Sequence, residues 1–87
     1  MYALQIARLG NPSEVVELVE IPDPDAPGVG EVLVAIEYAP INTSVLLMIR
    51  GQYGVRPSLP IGRGNEGVGR ILSVGGKVDH LKIGDRV

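Results

Sequence analysis

Glycine and proline punctuate this chain: twelve of one and seven of the other in 87 residues. Glycine opens positive φ, and proline fixes its own φ and removes an amide donor. That density predicts many turns and few long helices. The segments between the breaks are rich in Val, Ile and Leu, with no Phe and no Trp. Val and Ile favour strands, so the expectation is a mainly β chain with an aliphatic core. The length allows one small domain, which buries only about 60–65% of the surface its unfolded chain exposes.

The strand pattern is clearest over Glu31 to Ala39. Val32, Val34, Ile36 and Tyr38 share one face and are the core candidates, because the alternation has period two. Ala3 to Leu9 and Val15 to Ile21 read as a hairpin around the turn cluster Gly10-Asn11-Pro12-Ser13. Pro22 to Gly30 reads as an extended connector, since three of its nine residues lack an amide donor. Val45 to Arg50 is the only helix-like stretch. Thr43 or Ser44 can cap its start, and Gly51 fits the C′ position at its end. Residues 52–63 read as a loop. Glu66 to Val74 reads as a strand and Gly75-Gly76 as a hairpin turn. Lys77 to Ile83 returns, and Arg86-Val87 opens a further strand that pairs with little.

The net charge is −2 and no basic run stands out. Three Tyr are the only aromatics, so a base-stacking surface is not expected and nucleic acid is not a partner. No segment approaches the ~18 apolar residues of a membrane span. With no basic or Arg/Ser-rich extension, the cytoplasm is the expected compartment. Zero Cys and a single His, His80, leave no expected metal site.

Gly62-Arg63-Gly64-Asn65-Glu66-Gly67 spells the G-x-G-x-x-G of a dinucleotide fingerprint. That motif needs a strand before it and a helix after it. Pro60 precedes it here and a strand pattern follows, so it reads as a glycine-rich entry to a strand.

Four blocks then stand in fixed order: Ala39-Pro40-Ile41-Asn42-Thr43-Ser44, Gly51-Gln52-Tyr53-Gly54, Gly64-Asn65-Glu66-Gly67-Val68-Gly69 and Gly84-Asp85-Arg86-Val87. Together they resemble the start of the medium-chain dehydrogenase/reductase family. Zinc-using members have Cys at the place of Asn42 and His at the place of Asn65. The chain is therefore similar to the zinc-free branch, the 2-enoyl thioester reductases and quinone oxidoreductases. The resemblance implies a GroES-like, partly open β-barrel with one short helix. It implies that residues 1–87 are the N-terminal part of a catalytic domain, with the nucleotide-binding domain outside this chain. It also implies NADPH, with NADH as the variant, and a small-molecule substrate.

The same resemblance assigns roles to single residues. Asn42 matches an Asn beside the nicotinamide; read by itself, it is an Asx turn or a cap. Tyr53 matches a substrate-facing Tyr in a Gly-x-Tyr-Gly context; by itself it is a loop aromatic with a wet hydroxyl. A phenol keeps its proton at neutral pH, so it can donate to an enolate. Asn65 and Glu66 match the His-Glu pair of the zinc enzymes, and Glu66 also reads as a structural hydrogen-bonding group. Arg63 reads as a solvated charge or as a contact for a thioester's phosphates. One departure stands out: relatives often show Asn-Pro-Ser-Asp where this chain has Asn42-Thr43-Ser44-Val45. An acid at a helix start is usually favourable by ~0.3–1 kcal/mol, and here it is missing.

Three functions follow: reduction of the C=C bond of 2-enoyl thioesters, reduction of quinones, or a stand-alone binding or assembly module without activity. An unpaired sheet edge near Val87 further implies self-association or a homo-oligomer.

Overall fold

The computed structural model describes residues 1–54, 58–62 and 64–87. The chain divides into two compact units. The first comprises residues 1–22 and 40–65, and the second comprises 23–39 and 66–87.

The first unit is built on a three-stranded antiparallel sheet in the order β2-β1-β4. Strand β1 (Tyr2–Ile6) pairs with β2 (Val16–Glu20), with Leu4 opposite Leu18 and Ile6 opposite Val16. The expected hairpin is therefore present, with shorter strands. Its connection is more than a turn. Helix α1 (Pro12–Val15) forms because Asn11 caps it, its Oδ1 accepting from the Ser13 amide at 3.2 Å, while Pro12 stands in its first turn. The single expected helix is thus joined by a second, one-turn helix. Residues 52–63 also contain more than a loop. Strand β4 (Ile61–Gly62) returns to β1, placing Ile61 opposite Ile6.

Helix α2 (Thr43–Ile49) supplies the rest of this unit's core. Val45 and Ile49 lie four residues apart on one face and are buried with Ile6 and Val15. Leu9, Val16 and Ile61 pack around them. Val45, at the helix start, thus serves the core, and the first turn of α2 carries no acidic side chain. The Gly10 amide donates to the Ile49 carbonyl at 2.9 Å and anchors the hairpin connection to the end of α2.

The second unit pairs β3 (Val32–Tyr38) with β5 (Val68–Val74), antiparallel, with register shifts at Leu33/Val34 and Ile36/Tyr38. Ile71 is buried there. The face expected to bury Val32, Val34, Ile36 and Tyr38 does so only in part: Ile36 is 62% exposed and Tyr38 75% exposed. A two-stranded ladder has little surface of its own to bury against. Lys77 to Ile83 does not return as a strand. The residues after it do pair. Gly69 and Val87 exchange both amide–carbonyl bonds at 3.0 and 2.9 Å, and the Ile71 amide donates to the Asp85 carbonyl at 2.9 Å. Arg86 meets Glu37 in a two-point ion pair, Nε to Oε1 at 3.2 Å and Nη2 to Oε2 at 3.4 Å. The chain is mainly β, and no closed barrel forms among the described residues. No helix among them is long and apolar enough to cross a membrane.

Candidate functional site

Helix α2 organises the candidate residues of the first unit. Asn42 is its N-cap, with extended backbone angles (φ −84°, ψ 151°). Its backbone carbonyl accepts from the Val45 amide at 3.0 Å. Its side chain makes no capping bond, so Asn42 holds the cap position through its backbone, and neither Thr43 nor Ser44 is the cap. Asn42 itself is partly buried.

The other end of α2 is closed as its sequence predicts. Gly51 takes φ 74°, its amide donates to Met48 O at 3.1 Å, and the Gln52 amide donates to Leu47 O at 2.8 Å. These two bonds form a Schellman cap, which needs a left-handed residue at C′. Tyr53 follows directly and is 46% exposed, its ring neither buried in the core nor wholly in solvent. Asn42 and Tyr53 thus stand at opposite ends of a helix with a rise of about 10 Å.

Asn65 is the residue that long-range structure brings to this helix. Its Nδ2 donates to the Ser44 Oγ at 3.0 Å, across 21 residues of sequence. Sequence reading placed Asn65 at the site and treated Ser44 only as a cap candidate. A local pattern could not have revealed the bond, because the two residues come together only through the fold. Glu66 opens the second unit and is exposed. Arg63 lies outside the described residues. The G-x-G-x-x-G stretch leaves β4 and enters β5 without a helix, so it has no helix N-terminus to offer a pyrophosphate.

Among the described residues, no group of three or more His, Cys, Asp or Glu could hold a metal ion. A shallow open groove in the second unit is lined by Pro24, Pro27, Glu31 and Leu33, and none of the candidate residues contributes to it.

Residues 28–87 match the family of alcohol dehydrogenase GroES-like domains. The mitochondrial enoyl-[acyl-carrier-protein] reductase of Caenorhabditis elegans is 44% identical over 77 residues, covering 88% of this chain and 22% of that protein. Escherichia coli quinone oxidoreductase, solved with NADPH, superposes with a TM-score of 0.88 at 35% identity, over 99% of this chain and 26% of that one. The mitochondrial 2-enoyl thioester reductase heterodimer of Candida tropicalis gives a TM-score of 0.75 at 31% identity, over 98% of this chain and 26% of that one. The chain therefore spans about a quarter of the length of the proteins it is similar to.

Proposed function

The chain belongs to the family of alcohol dehydrogenase GroES-like domains, among the medium-chain dehydrogenases/reductases, and on that premise we propose that it is the N-terminal catalytic portion of a zinc-independent, NADPH-dependent reductase of 2-enoyl thioesters. The nucleotide-binding domain of that enzyme lies outside this chain. The observation that carries the reading is Tyr53. It stands in Gly51-Gln52-Tyr53-Gly54, its backbone is set by the cap of α2, and its ring is half exposed. The C. elegans and C. tropicalis relatives support the substrate class.

Reduction of an enoyl thioester puts negative charge on the thioester oxygen and then requires a proton at the α-carbon. The Tyr53 hydroxyl can donate a hydrogen bond as that charge develops and supply the proton. The two capping bonds before it set where the donor's backbone leaves α2, and a fixed donor favours a productive geometry. NADPH, when bound, supplies the hydride. This chain's residues fit only the nicotinamide end of that cofactor. Asn42 is partly buried, and a carboxamide can donate and accept together. NADH fits the same end, since the two cofactors differ at the adenosine ribose. Asn at 42 and 65 leaves neither place with a thiolate or an imidazole for zinc. Glu66 and Arg63 belong to this reading as substrate-binding or structural groups. The compartment in this reading is the cytoplasm. The C. elegans relative is mitochondrial, and fractionation of native cells decides between the two.

The test is Tyr53→Phe in the complete reductase. The expected result is a loss of about 10²-fold in kcat for an enoyl thioester, with KM little changed, because the hydroxyl acts mainly in the transition state. An unchanged kcat makes Tyr53 a loop aromatic and removes the reading's main residue. The second reading is quinone reduction, favoured by the superposition on the E. coli enzyme. In that case Tyr53→Phe has a much smaller effect, since water can complete the protonation.

A further inference from the structure

The first turn of α2 lacks the ordinary devices that steady a helix start. It carries no acidic side chain, and Asn42 makes no side-chain capping bond. Seven residues are too few to hold a helix by backbone bonds alone. Packing of Val45 and Ile49 secures one face. The polar side of the first turn is tied instead by the Asn65 carboxamide, which donates to the Ser44 Oγ at 3.0 Å.

We propose that Ser44 is a positioning residue: its hydroxyl holds the Asn65 carboxamide against the first turn of α2 and so keeps Asn42, Ser44 and Asn65 as one polar surface at that end of the helix. The inference rests on the reductase reading, because that reading makes this surface part of the reacting site. The structure supports it in three ways. The bond spans 21 residues, so it fixes the approach of the Gly64-Asn65 segment rather than a local turn. Ser44 is partly buried, which restricts its rotamers more than a surface serine's. An accepting hydroxyl also keeps its own hydrogen, so Ser44 can extend the polar surface by one further donor.

The experiment compares Ser44→Ala, Ser44→Thr, Asn65→Ala and the Ser44→Ala/Asn65→Ala double variant in the complete reductase. Both a short 2-enoyl-coenzyme A thioester and a quinone serve as acceptors. Ser44→Ala is expected to lower kcat about tenfold with KM within about twofold, the scale of a modest misplacement at a reacting site. Ser44→Thr, which keeps the hydroxyl, should recover the parent kcat to within about twofold. Asn65→Ala should match Ser44→Ala, and the double variant should be no slower than either, as required of two residues acting through one bond. Parental kcat in Ser44→Ala overturns the proposal, and so do losses that multiply in the double variant. A lowered melting point shared by Ser44→Ala and Ser44→Thr, with KM rising alongside, assigns the bond a structural role only and also overturns it. A parent that reduces the quinone and not the thioester overturns the substrate reading alone, because the Ser44 comparison is then made on the quinone.

Discussion

Gly69 sits where β5 comes closest to β3. A Cβ at this position would meet the Ala35 carbonyl oxygen and the Ile36 Cα inside contact distance, and both belong to backbone that a ladder holds in place. Gly69 also exchanges both backbone bonds with Val87, so it is pressed from the β3 side while paired on the other. Gly69→Ala is therefore expected to cost about 3 kcal/mol, the upper part of the range for overpacking. A urea midpoint equal to the parent's would show that β3 and β5 can separate at little cost. The glycines on either side of Val68 share this role. Both serve close strand approach, at Tyr38 for Gly67 and at Ala35 for Gly69.

Helix α2 is short, and its two ends are held by different means. Hydrophobic packing of Val45 and Ile49 fixes its face, and the Schellman bonds to Met48 and Leu47 fix its exit. Gly51 has φ 74°, a conformation that disfavours a side chain, and an added Cβ would stand 3.0 Å from Leu9 Cδ1. Gly51→Ala should therefore lower stability by about 1–2 kcal/mol. Gly51→Asn should lose less, since Asn tolerates the left-handed region. Because Tyr53 follows two residues later, kcat for an enoyl thioester should fall further in Gly51→Ala than in Gly51→Asn. Equal melting points for the parent and both variants would mean that the cap does not control this segment.

The whole chain exposes apolar surface on both of its units. Tyr2, Leu4 and Leu18 are exposed on the hairpin of the first, with Leu4 directly opposite Leu18. Ile36 and Tyr38 are exposed on β3 of the second. Among the described residues β3 has one ladder partner, β5, which leaves its other side open to a further strand. The terminal residues pair with β5 through the Arg70–Arg86 bridge and add a short outer strand on that side of the sheet. The isolated 87-residue chain is expected to self-associate, with sedimentation showing species heavier than the monomer. A compact, stable monomer at micromolar concentration would contradict this. In a longer protein the same surfaces would be available to the rest of the chain or to a second subunit.

What the sequence determined was mostly local. Alternation over Glu31 to Ala39 located β3, which runs over Val32–Tyr38. The glycine at 51 marked the end of α2, and the Pro-rich run marked the connector, because φ preferences and missing amide donors act within a few residues. The motif order singled out Asn42, Tyr53 and Asn65 as candidates. What tertiary structure decided was everything that depends on a distant partner. Strand β4 has two residues and exists because Ile61 finds Ile6. The face of β3 is half exposed because a two-stranded ladder cannot cover it. Helix α1 lay between the two cases: its Asn-Pro-Ser start was written in the sequence, but those residues serve a turn as readily as a cap. The Ser44–Asn65 bond was legible in neither residue alone, since a hydrogen bond across 21 positions is a property of the fold.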